Sequence, residues 1–190
     1  MTDERALIAE TCDRLFAEQL DETVFAAAET GIFPQRLWDA ITDNGLDRIL
    51  MPDDRDGSGL GWEDAHVVLL AAGRHAAPVP LAEAIAAGWL LCRAGVEIPD
   101  GILSLGTPMV GGGIEVPWGR HAAHAVVADA DGARCISLEG AEIMHDRNIG
   151  REPRDSVAGV DIPAVADDSV WAAGALTRAC QMVGAAAATL

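Results

Sequence analysis

Apolar residues recur at helical spacing through roughly the first half of the chain, and then the period shortens. From Thr2 to Leu20, positions Leu7, Ile8, Thr11, Leu15, Phe16 and Gln19 share one side of a predicted helix. Its early Asp3 and Glu4 suit the positive end of the helix dipole. A second helix is predicted over Val24 to Thr30, stopped by Gly31. A third begins near Pro34, where a missing N–H costs nothing, carries Leu37, Trp38 and Ile41, and ends at Asn44-Gly45. Ile49-Leu50-Met51 reads as a short extended step before Pro52. The turn from Asp53 to Gly61 follows, with glycines at 57, 59 and 61. Trp62, Ala65, Leu69 and Ala72 mark one face of a fourth helix. Pro80 opens a fifth, with Leu81, Ile85, Gly88 and Leu91 or Cys92 facing inward.

Beyond Pro99 the apolar runs become short and glycine-bounded: Ile102 to Leu105, Ile114 to Val116, Ala125 to Ala128 and Arg134 to Leu138. Asp131-Gly132 is a tight-turn signal between the last two, and Val157 to Ile162 adds a further candidate strand. About five strands are too few to close a roomy barrel. From Val170 the helical period returns with Trp171, Leu176, Met182 and Val183, and the chain reaches Leu190 within that helix. The expected class is α+β. A helical domain spans 1–98, a small antiparallel β domain 99–168, and the start of a further helical domain 169–190. Trp62, Trp89 and Trp171 fall at core spacing and are expected to pack inward.

Composition narrows the function classes. The 190 residues are half hydrophobic, and their formal net charge is -17. That balance disfavours disorder, nucleic-acid phosphates and anionic membrane surfaces. Every basic side chain apart from histidine is arginine, and tyrosine is absent. Schiff-base lysine chemistry and a tyrosine general acid are therefore excluded. Cys12, Cys92, Cys135 and Cys180 are widely spaced, and the acidic start lacks a secretory core. Reduced cysteines in a cytoplasmic protein are expected. The alanine-rich stretch from Trp171 is broken by Arg178 and Gln181 and reads as a soluble helix.

The run Leu37-Trp38, Gly45, Met51-Pro52, Gly57-Ser58-Gly59-Leu60, Gly73-Arg74 and Pro78-Val79-Pro80 resembles the amino-terminal helical domain of acyl-CoA dehydrogenases. The family pattern there runs "LW..L...G", "lP...GG.Gl" and "G......P.P". The order of helical block, β block and new helix extends the resemblance. Ala173 to Gly184 looks like the first helix of the family's carboxy-terminal bundle.

The resemblance implies a flavoprotein oxidoreductase. In such a protein a bundle glutamate removes the α-proton of an acyl-CoA thioester, and the β-hydride passes to FAD. It also implies an electron-transfer flavoprotein or similar acceptor, and a homo- or hetero-oligomer. No glutamate here lies in a segment matching the base, so no catalytic residue is assigned and the chain alone is expected to be inactive. The family's "TEP.AGSD" stretch is replaced by LSLGTPMVGGG. In the next motif Trp118 falls at the flavin-touching threonine, which makes Trp118 and Gly119 the candidate cofactor contacts. Gly59 and Leu60 are the candidate substrate contacts, on the wall of the acyl pocket. The alternative is a non-catalytic scaffold subunit of a heteromeric dehydrogenase.

Other motifs carry blander readings. His121 and His124 form H-x-x-H without a third ligand at fixed spacing, which favours a packing or surface role over a metal site. Gly111-Gly112-Gly113 lacks a phosphate-loop context and reads as a turn. Asp53 to Asp64 lacks the twelfth-position glutamate and sixth-position glycine of a calcium loop. His66 and His75, on the fourth helix and its exit, have no evident acidic partner, so no acid–base role is assigned to them.

Overall fold

The computed structural model describes residues 3–129, 132–163 and 168–190. Among them the helices are α1 (Asp3–Gln19), α2 (Glu22–Glu29), α3 (Gln35–Asp43), α4 (Trp62–Arg74), α5 (Leu81–Ala94) and α6 (Ser169–Ala188). The strands are β1 (Leu103–Leu105), β2 (Thr107–Pro108), β3 (Ile114–Pro117), β4 (His124–Asp129), β5 (Gly132–Ser137), β6 (Glu142–Met144) and β7 (Arg154–Ala158). The α+β order stands: a helical block, a β block and a returning helix. Two compact units are built from this order, residues 1–85 with 175–190, and residues 86–174.

In the helical unit α1 buries Cys12, Leu15 and Phe16, α3 buries Leu37, Trp38 and Ile41, and α4 buries Ala65, Val68, Leu69 and Ala72. Every residue of α5 from Leu81 to Gly88 is buried, so this helix has no solvent face over its first two turns. Its apolar run of alanine, leucine and isoleucine suits that surround. α2 starts at Glu22, two residues before the predicted start, because Asp21 caps it. The Asp21 carboxylate accepts the N–H groups of Thr23 and Val24 at 2.8 and 2.9 Å.

The extended step predicted at Ile49–Met51 is instead a pair of turns. Arg48 N–H donates to the Gly45 carbonyl and Met51 N–H to that of Arg48. The apolar character of these residues reflects burial, not strand pairing: Ile49, Leu50 and Met51 are all in the core.

The face of α6 also differs from expectation. Trp171, Leu176, Met182 and Val183 are 67, 48, 71 and 57% exposed, while Val170, Ala173 and Thr177 are buried. The helix packs with its small residues. A Cβ on Gly184 would lie 2.0 Å from the Leu70 carbonyl oxygen, and one on Gly73 would lie 2.0 Å from that of Gln181. α4 and α6 thus meet backbone to backbone, a contact larger side chains would prevent. The inward packing expected for Trp171 is therefore not realised. Trp62 and Trp89 are half-buried.

The β unit holds two sheets, ordered β1-β4-β5 and β2-β3-β7-β6. β1 and β4 run parallel, and all other pairs are antiparallel. Ile114, Val116, Ala125, Val127, Ile136, Leu138 and Val157 form its core, drawn from both sheets at the two-residue period of strands. Among the described residues seven strands stand where about five were expected. The short β2 and β6 carry no alternating pattern, and the last strand ends at Ala158 instead of reaching Ile162. β4 and β5 pair from Asp129↔Gly132 outward, as the turn signal required, although Asp131 itself lies outside the described residues.

Candidate functional site

Gly59 and Leu60 sit on a loop that folds back over the turns at 45–51. Ser58, Gly59 and Leu60 donate their N–H groups to the carbonyls of Arg48, Met51 and Ile49 at 3.3, 2.8 and 3.1 Å. Gly57 makes this possible: a Cβ there would stand 2.0 Å from the Met51 carbonyl oxygen. Gly59 has φ +63, the left-handed region that favours glycine. Gly59 is exposed and Leu60 half-buried, so the loop presents a fixed backbone edge with one apolar side chain. The loop leads into α4, where Asp64 accepts the N–H of Gly61 at 3.1 Å. Arg5 of α1 reaches Asp64 at 2.8 Å and also pairs with Glu63. These contacts, with the Gly61 N–H, hold the Asp64 carboxyl below its usual range.

Beside the loop, burial pushes Asp47 up to about 6, against the pull of Arg48 at 3.7 Å. Its Oδ1 has no hydrogen-bond partner among the described residues.

Trp118 and Gly119 belong to the β unit, immediately after β3. Trp118 is 2% exposed, with φ +57 and its N–H donated to the Pro153 carbonyl at 3.0 Å. Its ring lies 6.1 Å from that of His121. Gly119 is buried, and a Cβ there would lie 3.1 Å from the Cβ of Asp155 and 3.2 Å from that of Val116. Neither residue offers side-chain surface to a ligand. Their surroundings are filled by protein, so they do not fit a flavin as they stand.

What fixes this turn is an ion pair that sequence reading missed. Asp155 is 0% exposed and accepts the N–H of Arg120 (2.7 Å), its guanidinium (3.1 Å at Nε) and the N–H of Asp146 (3.1 Å). Burial opposes the Asp155 charge, but these donors prevail and hold its carboxyl below the usual range. Arg120 and Asp155 lie 35 positions apart, and only strand register brings them together.

Three further side-chain pairings were invisible in the sequence. His75 does have an acidic partner, Asp13 of α1 at 3.1 Å, which Arg74 also grips at 2.8 Å. His66 Nδ1 lies 3.2 Å from the Cys180 sulfur, whose thiol is pushed up by burial. In α5, the buried Glu83 takes Arg178 Nη2 at 2.6 Å. Gly111, Gly112 and Gly113 all have positive φ at the β2–β3 turn, with Val110 fully exposed beside them.

No described helix is long and apolar enough to cross a membrane. The acyl-CoA dehydrogenase N-terminal domain family matches residues 2–97. No curated protein sequence matches the chain. Among solved structures, a variant of the Tcur3481-Tcur3483 steroid ACAD superposes with a TM-score of 0.76 at 20% identity, covering 98% of this chain and 64% of that one. The ChsE4-ChsE5 complex from Mycobacterium tuberculosis gives 0.73 at 18% identity, covering 97 and 64%. The electron transferring flavoprotein of Acidaminococcus fermentans gives 0.75 at 12%, covering 97 and 65%. The chain thus spans slightly under two thirds of these proteins, and at such identities the likeness is one of fold.

Proposed function

Because this chain belongs to the acyl-CoA dehydrogenase family of oxidoreductases, we propose that it is one part of an assembly that desaturates an acyl-CoA thioester between its α and β carbons, with FAD as hydride acceptor. In this reading the 190 residues alone are inactive. They supply the helical scaffold and, through Gly59 and Leu60, a braced wall for the acyl group. The catalytic carboxylate and much of the flavin surface come from further polypeptide.

One observation carries the reading. The face of α6 bearing Leu176, Met182 and Val183 is apolar and exposed, on the helix that resembles the first of the family's carboxy-terminal bundle. An exposed apolar stripe of this kind marks a surface for further polypeptide to cover. The enclosure of Trp118 and Gly119 supports it, because a flavin needs surface that these residues do not provide. A non-catalytic scaffold subunit is the second reading, favoured by the altered flavin motif and by two neighbours whose names join two polypeptides.

The test is an anaerobic dye-reduction assay with a series of acyl-CoA thioesters, alongside the flavin absorbance of the purified chain. No turnover and no bound flavin are expected for the 190 residues alone. Activity should follow when a flavin-carrying acyl-CoA dehydrogenase subunit is supplied. Turnover by the chain unaided would overturn the proposal.

A further inference from the structure

α6 is seated on the helical unit by residues that give it little grip. From Ala175 onward its buried and half-buried positions are Thr177, Arg178, Cys180, Gln181 and Gly184, with no large apolar side chain among them. Where it meets α4, the main chain at Gln181 stands against Gly73, and Gly184 stands against the main chain at Leu70. Helices interlock when the large side chains of one fill the grooves of the other. This face of α6 has none to insert.

A slip of α6 by one turn, about 5.4 Å, shows what shape alone permits. It brings Ala188 to the place of Gly184, Ala185 to that of Gln181, Gly184 to that of Cys180 and Met182 to that of Arg178. One methyl is added against the α4 main chain, and methionine is flexible enough to adapt to its new surroundings. Charge separates the two seatings where shape does so only weakly. Glu83 is 4% exposed, on the part of α5 that has no solvent face. Its Oε1 takes Arg178 Nη2 at 2.6 Å, and Gln181 Oε1 steadies the same guanidinium, 3.0 Å from Nη1. Glu83 Oε2 has no hydrogen-bond partner among the described residues. After the slip a methionine faces Glu83, Arg178 is carried a turn away, and a buried carboxylate loses its cation.

We propose that the Glu83–Arg178 pair is the register key of α6, selecting one seating among those its small-residue face would accept. The direction in which Leu176, Met182 and Val183 point is set with it. Glu83, itself buried, is thus a positioning residue for the face that α6 offers to further polypeptide. That consequence rests on the function proposed above; the register itself does not.

The test reads the Gly184 amide of the whole chain by NMR, alongside thermal unfolding. In the parent, Gly184 should show nuclear Overhauser contacts to Leu70 alone. A slipped α6 brings Gly184 to where Cys180 stands, beside His66. Glu83→Leu with Arg178→Met replaces the pair by apolar groups, which need not cost stability. That double variant should unfold at the parent Tm or above, yet show a second Gly184 signal with contacts to His66, at about 10% of the total or more. Arg178→Lys, which keeps a cation opposite Glu83, should return Gly184 to Leu70 alone. A double variant whose Gly184 still contacts only Leu70 would overturn the proposal, because the main-chain contact would then set the seating unaided. So would a double variant that fails to fold or unfolds well below the parent, since the pair would then supply stability and not choice. Neither readout involves flavin or acyl-CoA, so failure here and failure of the functional reading are separate results.

Discussion

Replacing Gly184 by alanine sets helix propensity against backbone contact. Alanine in a helix interior is favoured over glycine by roughly 1 kcal/mol. The added methyl, however, would stand 2.0 Å from the Leu70 carbonyl oxygen and 3.0 Å from the Arg74 nitrogen. Both are main-chain atoms of α4, so no side chain can swing aside. Restoring an ordinary separation requires the two helices to part by roughly 1 Å. Overpacking of this kind costs about 1–3 kcal/mol, and more against rigid backbone. The net expectation is a loss of about 1–2 kcal/mol. For a chain of this length that lowers Tm by about 2–8 °C, followed by far-UV circular dichroism. Gly174→Ala in the same helix is the control. Its methyl meets only the end of the Leu105 side chain, at 3.0 Å, so Tm should hold or rise by about 2 °C. Equal Tm changes for the two substitutions, or a rise with Gly184→Ala, would refute the claim that α4 and α6 touch through their main chains.

Asp47 gives a pH-dependent test. Its carboxyl is raised to about 6 in the folded chain, so between about pH 4 and 6 the folded state holds a proton the unfolded state has released. Stability from this group is therefore lost as pH rises through that window, by at most about 3 kcal/mol. Asp47→Asn should match the parent at pH 4 and exceed it by about 1–3 kcal/mol at pH 7 in urea titrations; parallel curves would refute the assignment. Arg120→Met leaves Asp155 buried without its main counter-charge, and a loss of about 3–5 kcal/mol is expected in urea unfolding. A loss under about 1 kcal/mol would show that the backbone donors alone suffice. Asp21→Ala removes the α2 cap at a cost of about 1 kcal/mol, seen as faster amide exchange at Thr23 and Val24. Unchanged exchange there would count against the cap.

How much of this was legible depended on the range of the interaction. Helix positions followed from local signals such as Asn44-Gly45 and Pro80, since caps and breakers act within a few residues. The Asp131-Gly132 signal likewise located the β4–β5 hairpin. The fold family was readable because Leu37 to Pro80 combines such local signals in fixed order. The face of α6 was misread because apolar size was taken to indicate burial, whereas the close approach to α4 selected glycine and alanine. His75–Asp13 and Arg120–Asp155 were unreadable for another reason: their partners are 62 and 35 positions apart. In the candidate site, the glycine-rich character of 57–59 was visible. The enclosure of Trp118 was not, because a tryptophan at a strand end looks the same whether it faces solvent or core.

The boundaries of the β unit, at 85/86 and 174/175, both fall inside helices, α5 and α6. Along the sequence, the β unit is therefore inserted between the two parts of the helical one. During vectorial synthesis residues 86–174 leave the ribosome before 175–190, so the β unit can close while the helical unit still lacks its own part of α6. Until then the main-chain surface of α4 at Leu70 and Gly73 stays open to whatever helix reaches it first, and a chaperone has that interval in which to act.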